Sequence, residues 1–162
     1  VTLTDWREIW LNEGFATYSD ALYTEHAYGE KAFREKMDRF AARYFREDDS
    51  VGRFPIYNSK KMWGATVYEK GAWVLHMLRG VVWDSVFFSI LKTYHHTFAY
   101  RNATIADFQD IAESVSGSDL KWFFHEWLYE AGYPVFRFQW QALPAPSGRV
   151  KTKLLLEQIQ VQ

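Results

Sequence analysis

Glu13 sits where a carboxylate needs a reason. The stretch DWREIWLNEGFATY, residues 5–18, reads as a packed helix, and Trp6, Ile9, Trp10, Glu13, Ala16 and Thr17 share one face at i, i+3, i+4 and i+7 spacing. An ionised, unpaired carboxylate on such a face costs several kcal/mol of desolvation. It must stay protonated, pair with a cation or backbone donors, or bind a metal, and the pattern alone leaves all three open. Gly14 follows directly. Glycine costs a helix about 1 kcal/mol relative to alanine, so another backbone or a ligand is expected to come close there. The five histidines offer no ready partner set. "HEWLY" at His125 ends on Tyr129 rather than a second imidazole, and adjacent His95 and His96 point about 100° apart on a helix, which prevents them converging on one ion. His26 and His76 stand alone.

Six helices followed by two strands would position these groups. Asp5 can cap the first helix, with Glu8 three residues on as a capping-box variant, and Gly29 closes it near residue 28. A second spans about 30–46 with Phe33, Met37, Phe40, Ala41 and Tyr44 inward, and residues 47–59 read as a loop broken by Gly52 and Pro55. The third begins between residues 59 and 65 and runs to about Val82, with Glu69 and Lys70 expected on its surface. Asp84 caps a fourth, Thr104 opens a fifth with Asp107 at its third position and Gly117 as its stop, and Ser118 starts a sixth that Gly132 and Pro134 end. From Val135 the period changes to two, and "PAPSG" separates two alternating runs that read as antiparallel strands. A lone hairpin is marginal in water, so residues 134–162 look like the opening of an incomplete β domain.

Composition narrows the classes. The chain has 162 residues, 48% of them apolar and 19% aromatic, enough for a core of its own. Nineteen basic against 20 acidic residues leave a net charge of -1, which gives no reason to expect nucleic acid or an anionic membrane as partner. There is no cysteine, which removes disulfides and thiolate metal sites. No apolar run reaches the roughly 18 residues of a membrane span. The first residues lack the charged-then-apolar form of a signal peptide, so a soluble chain is expected with its compartment left open.

Three segments carry a family resemblance. WLNEGFATY, residues 10–18, resembles the segment that holds the third zinc ligand in gluzincin metallopeptidases of the aminopeptidase N type. In that family a helix with H-E-x-x-H supplies two histidines and a general-base glutamate, and the third ligand is the Glu of an N-E-G triplet roughly 18 residues on. Glu13 takes that place, with Asn12 and Gly14 beside it. VYEKGAWVLHML resembles the Y-x-K-G helix start, which puts Tyr68 at the position of the catalytic tyrosine. LKWFFHEWLYEAGYPVFRFQW, residues 120–140, resembles the segment that ends the catalytic domain and enters a β-sandwich.

The resemblance implies a mainly α chain. Residues 1–133 would be the C-terminal, helical half of a thermolysin-like catalytic domain, and residues 134–162 the first antiparallel strands of a β-sandwich. It also implies one zinc ion and a peptide substrate, in a parent that removes N-terminal residues from peptides. Epoxide hydrolysis on the same metal scaffold stays open. Because H-E-x-x-H is absent and only 12 residues precede Glu13, the second histidine would fall about seven residues before Val1. The two His ligands, the general base and the G-x-M-E-N segment would then lie in an N-terminal part of the same protein that this chain lacks. The chain alone is expected to be inactive. The competing reading is a non-catalytic helical interaction module of the same fold, whose aromatic load (Trp63, Trp73, Trp83, Phe87 and Phe88) could serve partner binding as easily as core packing.

Overall fold

The structure, a computed structural model, describes residues 1–159 and divides into a unit spanning Val1–Gly132 and a second beginning at Tyr133. The first unit is helical. A short strand β1 (Thr2–Leu3) leads through a 3₁₀ turn at Trp6–Glu8 into α1 (Trp10–Val51), followed by α2 (Glu69–Val82), α3 (Asp84–Phe98), β2 (Asn102–Ala103), α4 (Ile105–Ser116) and α5 (Lys121–Phe124), which runs on as a π-helical turn at His125–Tyr129. β1 and β2 pair in parallel, Thr2 with Asn102 and Leu3 with Ala103, which pins the start of the chain near the start of α4. Among the described residues no helix is long and apolar enough to cross a membrane.

α1 is two helical arms in one element. Gly29 sits at φ 84, ψ 173 inside it, a conformation that only glycine adopts easily, and the chain reverses there. Lys36 on the second arm binds Thr24 Oγ1 (3.0 Å) and the Asp20 carboxylate (2.5 Å) on the first, while the Tyr18 and Phe33 rings meet edge to face. The expected stop at Gly29 is therefore a corner between two packed arms. The second arm continues to Val51, past the expected end near 46, and takes residues 47–51 out of the expected loop. Distant partners make this possible. Asp48 is buried against Arg53 Nε (3.0 Å), and Glu47 accepts from the Thr66 backbone (3.0 Å) and pairs with Lys61 (3.1 Å).

The other helices deviate at their ends. Asp5 caps the 3₁₀ turn through Arg7 N (2.9 Å), but Glu8 does not close a box with it and accepts from Ile105 N (3.3 Å) instead. The third helix starts only at Glu69. Asp84 is the first residue of α3 rather than its cap; Trp83 occupies the cap position at φ 67, and Asp84 binds Arg79, which also binds Glu25. Thr104 opens α4 as expected, and with Asp107 it forms a capping box, Asp107 Oδ2 accepting from Thr104 N (2.8 Å) and Thr104 Oγ1 accepting from Asp107 N (3.2 Å).

The core is aromatic at its centre. Trp10, Phe15, Tyr94 and Phe108 pack ring on ring, and Phe108 meets Phe124 beyond them. In the second unit β3 (Phe136–Pro144) pairs antiparallel with β4 (Val150–Gln158), Phe138 opposite Leu156 and Trp140 opposite Leu154. The expected strand from Val135 thus starts one residue later, and the last three residues of the expected second strand, 160–162, lie outside the described residues.

Candidate functional site

The site begins with the first turn of α1. Asn12 anchors it: Oδ1 accepts from Leu3 N (3.1 Å) and Nδ2 donates to Thr2 Oγ1 (3.3 Å), tying the helix to the β1 strand. One turn on, Thr17 Oγ1 donates to the Glu13 carbonyl (2.7 Å). Glu13 itself differs from expectation. Its side chain is half-exposed on the rim of the core rather than inside it. The buried face of this arm is Trp10, Leu11, Gly14, Tyr18 and Ala21, while Trp6 is 60% exposed and Ala16 faces outward. The 3₁₀ turn at residues 6–8 advances three residues per turn instead of 3.6, so a stripe extrapolated from Trp6 arrives at Glu13 out of phase.

Gly14 shows why glycine follows it. A Cβ there would lie 3.2 Å from the Cα and C of Gly71, and a Cβ on Gly71 would lie 3.1 Å from Gly14 Cα. The backbone expected to approach Gly14 belongs to α2. Tyr68, half-buried, stands at the N-terminal end of that helix, its N donating to Gly64 O (3.2 Å) and its carbonyl accepting from Ala72 N (2.9 Å). The phenol and the Glu13 carboxylate meet. Burial first, then the charge of Glu13 and hydrogen bonding to it, and then the charge of Glu69 hold the Tyr68 pKa above the ordinary phenol value. Tyr68 is thus a protonated donor at neutral pH. Glu13 takes part in none of the ion pairs that Arg43, Arg53, Lys61 and Arg79 make with other carboxylates.

Glu69 and Lys70, expected on the helix surface, are each only 3% exposed. The second arm of α1 covers them. Arg43 Nη1 pairs with Glu69 Oε1 (2.7 Å), and burial still pushes the Glu69 pKa up. Lys70 Nζ has no hydrogen-bond partner among the described residues, lies 5.6 Å from the centre of the Tyr44 ring, and its pKa is pushed down to about 8 by burial, with Asp48 opposing. Nearby, Trp73 Nε1 donates to the Met37 carbonyl (2.9 Å). The sequence carried a signal for this burial that periodicity missed, since Gly71 marks the close helix face and Lys70 lies next to it.

The histidines stay dispersed. His26, His95, His96 and His125 are exposed, and His125 pairs with Glu130 (3.3 Å). His76 contacts the Tyr18 hydroxyl (3.2 Å) among Phe33 and Trp73, and burial lowers its pKa. Among the described residues no group of three or more His, Cys, Asp or Glu side chains could hold a metal ion. Glu13 offers one carboxylate with no competing cation among the described residues, which fits a zinc ligand in chemistry but leaves the set incomplete.

Comparison with known proteins supplies the frame. The chain is 32% identical over 142 residues to aminopeptidase M1-A of Oryza sativa subsp. japonica, covering 83% of this chain and 16% of that protein. Aminopeptidase N of Streptomyces lividans is 32% identical over 150 residues, 85% of this chain and 17% of its own length. Human aminopeptidase N is 29% identical over 153 residues, again with 83% of this chain and 16% of the relative. The chain therefore spans about one sixth of the length of these relatives. Among solved structures, an M1 zinc metallopeptidase from Deinococcus radiodurans bound to a Tyr-Ser-Ala substrate superposes with a TM-score of 0.64 at 27% identity, over 78% of this chain and 28% of that one. A two-domain M1 zinc metallopeptidase bound to L-arginine gives 0.64 at 30% identity, over 79% and 29%. The model of the peptidase family M1 domain matches residues 1–127, the whole of the helical body that carries Glu13 and Tyr68 up to the turn after α5, and the chain belongs to the M1 peptidase family.

Proposed function

We propose that residues 1–133 are the C-terminal helical part of the catalytic domain of a zinc aminopeptidase, with Glu13 as a zinc ligand and Tyr68 as the donor that stabilises the oxyanion. Residues from 134 on would open a β-sandwich. The observation that carries this reading is the Glu13 carboxylate, which among the described residues has no guanidinium or ammonium partner and meets the Tyr68 phenol across the α1–α2 crossing. Glu69, buried on α2, is instead paired with Arg43.

Catalytic zinc sites take three protein ligands, so Glu13 needs two more, and the family resemblance assigns these to histidines upstream of Val1. Zinc, when bound, polarises the scissile carbonyl and lowers the pKa of water. The residues of this chain do the rest of what falls to them. Asn12 fixes the first turn of α1 and so the direction of Glu13. Glu13 holds the charge that positions the ion. Tyr68, protonated at neutral pH, donates its O–H to the carbonyl oxygen as negative charge builds there.

The test uses the full-length protein, aminoacyl chromogenic amides and a zinc assay. Glu13→Ala is expected to lose both zinc and turnover. Tyr68→Phe is expected to keep its zinc and lose about 10²–10³ in kcat. Unchanged kcat in Tyr68→Phe, or full zinc content in Glu13→Ala, sinks the assignment. The 162-residue chain alone, given zinc, should turn over no faster than its Glu13→Ala variant.

A further inference from the structure

Two glycines sit in helix interiors with ordinary helical backbone where alanine would favour the helix. They face each other. The groups that would obstruct a side chain at Gly71 are the Cα and N of Gly14 at 3.1 and 3.8 Å, and those at Gly14 are the Cα and C of Gly71, both at 3.2 Å. Backbone atoms cannot rotate aside, so a methyl group at either position must move one helix away from the other. Glu13 is the residue before Gly14, and Tyr68 lies three residues before Gly71, on the same face of α2. Any parting of the crossing is thus transmitted to the gap between carboxylate and phenol.

Resting on the reading of Glu13 and Tyr68 above, we propose that Gly14 and Gly71 are positioning residues whose backbone-on-backbone contact sets the separation of the Glu13 carboxylate from the Tyr68 hydroxyl. The contact acts through Tyr68, whose oxygen must sit within hydrogen-bond reach of a carbonyl held beside Glu13. Misplacement by a fraction of an ångström is enough to matter, since a shift of about 1 Å costs reactions of this kind about 10²-fold.

The experiment is a double-mutant cycle in the full-length, zinc-loaded protein. Gly71→Ala is expected to lower kcat about tenfold with zinc retained and KM changed less than about twofold. In the Tyr68→Phe background the same substitution is expected to lower kcat by less than about twofold, because the group it misplaces is already gone. Gly80→Ala, in the same helix with no atom of the described residues beyond its own helix turn within 4 Å of its added methyl, should leave kcat alone and not lower the melting temperature, whereas Gly71→Ala lowers it. Equal loss from Gly71→Ala in both backgrounds overturns the proposal, as does no loss in the wild type. If Tyr68→Phe itself leaves kcat unchanged, the reading of Tyr68 fails; if Tyr68→Phe is impaired and Gly71→Ala is not, only the positioning role fails. Gly14→Ala runs in parallel, because part of its obstruction is the edge of Trp10, at 3.3 Å, which can tilt. Failure of both alanine variants to accumulate as folded, zinc-bound protein overturns positioning in favour of a packing role.

Discussion

Trp10 and Trp140 are the same side chain in opposite circumstances. Trp10 is fully buried among Phe15, Phe108 and the α2 backbone, while Trp140 is 67% exposed on a strand all of whose residues are exposed. Both were placed on an apolar face by periodicity. A period tells which residues share a face and says nothing about what covers it. In the helical unit the cover comes from the same chain: the two arms of α1, α2 and α4 enclose one another. In the hairpin, Phe136, Phe138 and Trp140 line one face with Leu154 and Leu156 from the partner strand, and each of them stays open to solvent.

This contrast predicts where stability resides. Trp10→Ala is expected to cost about 3–5 kcal/mol and Trp140→Ala no more than about 0.5, measured by urea denaturation of the 162-residue chain. Comparable costs would mean that the hairpin face is packed in solution. Lys70 sharpens the same point by showing that the helical unit buries even a charge. Its folded pKa, about 8, lies below the ordinary 10.5, so between those values the unfolded chain binds more protons and stability must rise with pH. Lys70→Met should abolish that rise and add about 1–3 kcal/mol at pH 7. A melting temperature that falls over the same window in the wild type would contradict the burial. The smallest expected effect is at the α4 cap, where Thr104→Ala should cost about 1 kcal/mol by thermal melting. A cost near zero would leave that helix held by its core contacts alone.

Much of this architecture can be read from the residues before any coordinates. The mainly helical character, the helix start at Thr104 with Asp107 at its third position, the break at Gly29 and the switch to strands near Pro134 all rest on local chemistry, which is written in consecutive residues. Glu13 and Tyr68 stood out through motif, and Gly14 through its cost to a helix. What could not be read depends on distant partners. The run EDDSV looks like a loop, and it is helical because Arg53 pairs with Asp48 while Lys61 and the Thr66 backbone N–H satisfy Glu47. Glu69 and Lys70 look solvated, and they are buried because an arm of α1 that begins forty residues earlier lies over them. The phase of the first helix went astray because three residues of tighter helix precede it.

The corner at Gly29 has one last implication. Because the chain doubles back there, α2 is gripped twice by a single stretch: at Gly71 by the outgoing arm, and at Trp73 and Glu69 by the returning one. An L-residue at Gly29 would resist the bend and slacken both grips together. A solvent-facing spot with no chemistry of its own is thereby made a place where drift in the sequence can loosen the α1–α2 crossing from afar.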